Sequence, residues 1–166
     1  MCEGKYLFAI KDEICFIKFK GEIRYTISSS LDVFIDSLFE NGTQNDFIVD
    51  LSEATLIDST NLGLLAKLAN KVNGRSGGKV TLISPNEDIY QVLQSVGFER
   101  VFVILKESDY INDIELKSIV FCSDTDKDLA KRMLTAHRAL CALSENNHKL
   151  FKNIVMYLKQ GLEEKP

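Results

Sequence analysis

Little in this sequence points to a metal centre, a disulfide framework or a membrane span. Tryptophan is absent, only two histidines occur, and the four cysteines include no C-x-x-C pair. Because zinc sites need clustered ligands, the scattered cysteines and histidines predict no metal site and a set of reduced thiols. The apolar runs are short, whereas a transmembrane helix needs about 20 apolar residues. We therefore predict no metal, no cofactor and no membrane span.

A basic excess is also missing. The 24 acidic and 20 basic residues give a net charge of −4 and a pI of about 5.3, which argues against direct binding of nucleic acid. The N-terminus lacks the basic start and apolar stretch of a signal peptide, so we expect a cytoplasmic protein. The length of 166 residues and the 45% hydrophobic content are typical of one globular domain, or of a small domain with an appendage.

The first 118 residues alternate between strand-like and helical patterns. Runs rich in β-branched and aromatic residues predict strands at 6–10, 14–19, 47–49, 80–83 and 101–104. Apolar residues at three- and four-residue spacing predict helices near 31–41, 58–73 and 89–96. The order β-β-α-β-α-β-α-β predicts an α/β fold whose mostly parallel sheet opens with an antiparallel hairpin.

Three boundaries follow from local signals. Gly21 is predicted to end the second strand, and the hydroxyls of Ser28, Ser29 and Ser30 are predicted to cap the first helix. Residues 55–57 are predicted to form a loop between the third strand and the second helix.

The remainder, residues 119–166, is charged and helical in pattern, so we divide the chain into a domain at 1–118 and a helical extension. Its apolar positions recur in a 4-3-4-3 spacing at Leu129, Met133, Ala136, Leu140 and Leu143. The same phase continues through Asn147, Leu150, Ile154 and Tyr157. This predicts either one long helix or a hairpin broken near 144–147, with Ser144 as a cap. The apolar face could pack on its own domain, on a second copy in a homodimer, or on a regulator.

Enzyme motifs are missing. The sequence contains no G-x-x-x-x-G-K-[ST] phosphate loop and no G-x-S-x-G nucleophile motif. His137 and His148 both lie in the helical extension, where we interpret them as packed or solvated side chains because no acid, base or metal partner is evident. We predict no catalytic residue and no enzymatic activity.

The most informative stretch runs from residue 50 to residue 65. A buried strand ends at Asp50, and a helix begins with an acid and two hydroxyls, Asp58, Ser59 and Thr60. Hydroxyls at that point can cap the free N–H groups of the first turn. A phosphate on Ser59 would also be tolerated there, because a helix N-terminus favours negative charge. Physical chemistry alone leaves both roles open.

At these residues the sequence resembles the STAS-domain family, which includes bacterial anti-sigma-factor antagonists. The resemblance is carried by DLS at 50–52, IDSTNLG at 57–63, GEI at 21–23 and SVGFERVF at 95–102. It implies a mixed sheet of four or five strands with helices mainly on one face. It also implies that a serine-protein kinase, which is itself the anti-sigma factor, phosphorylates Ser59, with Thr60 as the second choice, and that a PP2C-type phosphatase reverses this. The unphosphorylated antagonist would bind the anti-sigma factor and release a sigma factor.

The same resemblance implies a partner-binding surface. Its residues would be Glu22, Ile23, Arg24, Asp50, Ser52, Asp58, Ser59, Thr60, Asn61 and Leu62. Asn61 stands where the family usually has Gly, and Arg24 where it usually has Asp. The alternative function is a non-switching STAS interaction module in another complex, such as a stress-signalling scaffold or a lipid-transport assembly.

Overall fold

The computed structural model of the protein describes residues 2–107 and 114–164. Within these parts the chain forms six strands, five helices and two short 3-10 turns, at Tyr25–Ile27 and Phe98–Arg100. The regular elements, in chain order, are β1 (Lys5–Lys11), β2 (Ile14–Ile23), α1 (Ser28–Asn41), β3 (Asp46–Ile57), α2 (Ser59–Ser76), β4 (Thr81–Ile83), α3 (Glu87–Ser95), β5 (Val103–Leu105), β6 (Lys117–Ser118), α4 (Asp126–Leu143) and α5 (Glu145–Glu164).

The strands form one mixed sheet in the order β5-β4-β3-β2-β1-β6. β1 pairs antiparallel with β2 and β6, and the other neighbours are parallel. Asp12 and Glu13 connect β1 to β2 with φ values of 54° and 66°. Two-residue hairpin turns of type I′ have positive φ at both central residues, and their twist then matches that of the strands. The predicted mixed α/β fold and opening hairpin are confirmed.

Two predicted boundaries in the sheet are wrong. β2 continues past Gly21 to Ile23, and β3 continues through the predicted loop at 55–57. The two extensions pair with each other after register shifts in the ladder, with Glu22 opposite Leu56 and Ile23 opposite Ile57. Gly21 has a φ of 83° and marks one of these irregularities rather than the strand end. Backbone pairing over a long sequence separation gives little local signal, so the predicted ends of β2 and β3 lie before the observed ends.

The predicted cap of α1 is also wrong. α1 starts at Ser28, but Ile27 occupies the cap position and no side chain caps this end. The serine hydroxyls bond elsewhere: Ser28 Oγ donates to the Tyr25 carbonyl at 2.7 Å, and Ser29 Oγ donates to Asp124 at 2.6 Å. The second contact joins α1 to a segment 95 residues away, which no local pattern predicts.

The edges of the sheet differ from the predicted strands. The strand predicted at 101–104 is β5, Val103–Leu105, which follows a 3-10 turn. β6 was not predicted: it has two exposed residues, paired with Leu7 and Phe8 of β1. Residues 108–113, which lie between β5 and β6, are outside the described part of the chain.

The C-terminal extension forms two helices rather than one. Ser144 separates α4 from α5, and its hydroxyl accepts the Asn147 N–H at 3.0 Å, as an N-cap does. The break shifts the helical phase, so the predicted seam through α5 is wrong. Leu150, Ile154 and Tyr157 are exposed. The more shielded positions after Asn147 are instead Phe151, Val155, Leu158 and Leu162.

α2 lies at the centre of the packing. Ten of its residues are buried, from Thr60 at its start to Val72 near its end. A helix buried on nearly all sides needs neighbours on more than one face. In addition to the sheet and α1, α4 packs against α2, and Ala136 and Leu140 of α4 belong to the same core cluster. The first turn of α2 is therefore held between the sheet and the C-terminal extension.

Candidate functional site

Asp58 organises the junction between β3 and α2. It is the N-cap of α2, and its Oδ1 accepts the backbone N–H of Asn61 at 3.0 Å. Its Oδ2 accepts the backbone N–H of Tyr25 at 2.5 Å, and its own N–H donates to the Ile23 carbonyl at 3.1 Å. The structure thus brings the GEI segment that ends β2 against the start of α2, although 33 residues separate Tyr25 from Asp58.

Asn61 ties this junction to β1. It is fully buried; its Nδ2 donates to Asp58 Oδ1 at 3.0 Å, and its Oδ1 accepts the hydroxyl of Tyr6. Burial, and then the Asp58 carboxylate, raise the pKa of Tyr6, so its hydroxyl stays protonated and remains a donor. Asn61 therefore lies within the helix as a hydrogen-bonding bridge. Asn61 stands where the family usually has Gly, and its side-chain amide connects Tyr6 with Asp58.

Ser59 is the first residue of α2 and is half-buried. Because the Asp58 carboxylate caps the helix, the Ser59 hydroxyl is not used for capping. It lies 2.8 Å from Nε2 of His137, on α4. His137 is 2% exposed, and its contact with Ser59 is not among the contacts predicted from the sequence. The two residues are 78 positions apart in the sequence, so no local spacing could have revealed the contact.

The hydrogen bonds of His137 define its protonation. Nδ1 lies 2.7 Å from the Met133 carbonyl, which can only accept, so Nδ1 carries the proton and Nε2 accepts from the Ser59 hydroxyl. Burial lowers the pKa of His137, against smaller opposing effects of the Met133 hydrogen bond and the Asp58 charge. The imidazole is thus a neutral acceptor for the Ser59 proton.

The other predicted site residues divide by location. Glu22 and Arg24 form an ion pair at 3.3 Å near the junction, and Arg24 is exposed. Asp50 and Ser52 lie six to eight residues before Asp58 on extended β3, roughly 20 Å along the strand. The buried carboxylate of Asp50 accepts the Ser52 N–H at 2.9 Å. The structure does not bring these two residues to Ser59.

Burial also divides the predicted partner-binding set. Arg24 and Ser52 are exposed, whereas Glu22, Asp58 and Ser59 are half-buried. The remaining members are buried, namely Ile23, Asp50, Thr60, Asn61 and Leu62. Much of the predicted surface is therefore covered by the chain itself.

Across residues 2–107 and 114–164, no group of three or more His, Cys, Asp or Glu side chains could hold a metal ion. Among the helices described there, none is both long enough and apolar enough to span a bilayer.

A relative of known sequence and structure resembles about three fifths of the chain. A protein of Thermotoga maritima named as a candidate anti-sigma factor antagonist is 26% identical over 97 residues, which are 58% of this chain and 85% of that protein. Its crystal structure superposes with a TM-score of 0.50 and covers 60% of this chain and 85% of its own.

Two further solved structures share the fold. An anti-sigma factor antagonist from Mycobacterium paratuberculosis is 20% identical, with a TM-score of 0.54, over 64% of this chain and 89% of its own. The phosphorylated form of the Bacillus cell fate determinant SpoIIAA is 18% identical, with a TM-score of 0.53, over 66% of this chain and 99% of its own.

The family model of the STAS domain matches residues 6–111, which include the whole β3–α2 junction. That match covers well over half of the chain, and it agrees with the mixed sheet and with the motif residues gathered around Asp58. The protein belongs to the STAS-domain family.

Proposed function

We propose that the protein is an anti-sigma-factor antagonist controlled by phosphorylation of Ser59. One observation carries the proposal: Asp58 caps α2, so the half-buried Ser59 hydroxyl at the helix start has no capping role. The names of the relatives support the general role. In this proposal the protein is a non-catalytic cytoplasmic switch, and Thr60, which is 3% exposed, is the weaker acceptor.

A phosphate on Ser59 would act through local charge. It adds about −2 charge beside the Asp58 carboxylate, at a helix terminus that favours anions. The helix would therefore persist while the surface around the junction became strongly negative. In the proposed cycle the unphosphorylated protein binds the anti-sigma factor, which is also the serine kinase, and releases the sigma factor. A PP2C-type phosphatase restores this form.

The experiment compares Ser59→Ala and Ser59→Asp with wild type and with Ser37→Ala, which removes an exposed hydroxyl on α1 as a matched control. Each full-length variant is tagged and expressed in the native cell, and co-purified proteins and phosphopeptides are identified by mass spectrometry. We expect Ser59→Ala to retain a kinase-type anti-sigma factor without phosphate, and Ser59→Asp to lose it. Equal retention by both variants, or a phosphate found elsewhere only, contradicts the switch.

The second candidate function is a non-switching STAS interaction module. It is favoured by the hydrogen bond from Ser59 to the buried His137, which gives the hydroxyl a structural role. In that case Ser59→Ala would lower stability without changing any partner. The absence of phosphate on Ser59, together with partners that bind all four forms equally, would identify this function.

A further inference from the structure

The α4 helix contacts α2 close to Ser59. At the start of α2, Ser59 Oγ meets His137 Nε2 at 2.8 Å. One helical turn later, Gly63 lies directly against the backbone of Ala136, so that a Cβ at Gly63 would overlap the Ala136 carbonyl and approach the Ala136 Cβ to 2.8 Å. The two helices therefore approach each other to backbone contact beside the proposed acceptor.

A charged cluster holds the next turn of the same interface. Asp32 of α1 is buried and binds Lys67 of α2 at 2.6 Å and Arg132 of α4 at 2.8 Å. Arg132 also binds Asp124, just before α4, at 2.6 Å. Along α2 the contacts run from residue 59 to 67, while along α4 they run from 137 back to 132. α4 thus lies along the N-terminal half of α2 in the opposite direction.

Phosphorylation of Ser59 is incompatible with this contact as it stands. Transfer breaks the bond from the γ-phosphorus to the bridging oxygen of ATP and the O–H bond of Ser59, forms an Oγ–P bond, and releases ADP and a proton. The hydrogen that leaves is the one that His137 Nε2 accepts. A kinase must also approach Oγ within hydrogen-bond reach, in the space next to α4.

We propose that α4 is an internal cover for Ser59 and for the face of α2 beside it, so that a kinase-type partner and α4 compete for the same surface. This inference rests on the proposed function and adds its regulation. A partner that needs α4 displaced binds with an affinity reduced by the fraction of molecules in which α2 is uncovered. The C-terminal extension therefore sets how readily Ser59 is phosphorylated.

The test uses one substitution at two positions of the same helix. Gly63→Ala inserts a methyl group between α2 and α4, whereas Gly74→Ala, also in α2, meets no atom within 4 Å. Hydrogen exchange in the full-length protein reports release of α4 through the amides of 134–140. Exchange at the amides of β2 and β3 separates this release from global unfolding. We expect Gly63→Ala to raise exchange in α4 about tenfold or more, and Gly74→Ala to leave it unchanged.

The second measurement is the initial rate of phosphate transfer to Ser59, with radiolabelled ATP and an extract of the native cell, and with Ser59→Ala as the background. Early time points keep any reversal by a phosphatase negligible. We expect the Gly63→Ala rate to exceed the Gly74→Ala rate about tenfold, in line with the larger uncovered fraction.

The outcomes separate the two proposals. If α4 is released but the rate does not rise while Ser59 is still phosphorylated, the cover is wrong and the proposed function stands. If no form is phosphorylated, including those with α4 released, the proposed function itself is wrong. Should Gly63→Ala unfold the sheet, His137→Leu removes the hydrogen bond between α4 and Ser59 at similar side-chain volume. A phosphorylation rate of His137→Leu above that of Gly74→Ala supports the cover, and an equal or lower rate contradicts it.

Discussion

Gly63→Ala and Gly74→Ala should change the free energy of unfolding in opposite directions. Both replace glycine by alanine inside α2, and in a helix that change alone stabilises by about 1 kcal/mol. At Gly74 nothing lies within 4 Å of the new methyl group, so the full gain is expected. At Gly63 the methyl group overlaps backbone atoms of Ala136, which cannot move without moving α4.

The magnitude at Gly63 follows from overpacking. Inserting a methylene-sized group into a well-packed interior costs about 1–3 kcal/mol, and a backbone neighbour places the cost near the upper end. After the helical gain is subtracted, a net loss of about 1–2 kcal/mol remains. For a chain of this length, each kcal/mol shifts the melting temperature by about 2–4 °C.

Urea unfolding followed by circular dichroism measures this difference. We expect the midpoint to fall for Gly63→Ala and to rise for Gly74→Ala, with unchanged denaturant slopes. A changed slope would mean that the compactness of the denatured or native state had changed, or that unfolding was no longer two-state. If both midpoints rise, the backbone contact between α2 and α4 is absent in solution, and α4 is then not a cover for Ser59.

Three further predictions concern buried polar groups. Tyr6→Phe leaves Asn61 Oδ1 without the hydroxyl it accepts and should cost about 1–3 kcal/mol in urea unfolding. Asn147→Ala removes the donor that Val96 and Leu140 accept at 2.9 and 3.1 Å and should cost a similar amount, whereas the exposed neighbour Asn146→Ala should be nearly neutral. Because the pKa of His137 is lowered below 6.5 in the folded state, the unfolded chain binds its proton at higher pH; the contribution of this group is therefore present above 6.5 and lost as the pH falls from there. Between about pH 7.5 and about pH 5.5, the urea midpoint should fall less in His137→Gln than in wild type. An equal fall of the midpoint in both proteins would contradict the lowered pKa of His137.

Local signals in the sequence determined most of the fold. The hairpin around Asp12 and Glu13, the start of α2 at Ser59 and the α4–α5 break at Ser144 all depend on residues within a few positions of one another. Hydrophobic periodicity and capping preferences act over that range, so the sequence alone predicts the hairpin and the start of α2, and it offers the α4–α5 break as one of two alternatives. The motif around Asp58 lies within such a segment, and for that reason both the family and the proposed acceptor could be inferred before any coordinates.

Contacts between distant segments were decided only by the tertiary structure. The extensions of β2 and β3 exist because they pair with each other, and Ser29 bonds Asp124 instead of capping α1. The contact between Ser59 and His137 joins residues 78 positions apart, and the periodicity of α4 shows that the helix has an apolar face but not which helix covers it. Packing selects among the surfaces that local patterns make available, and here it placed the C-terminal extension over the first turn of α2.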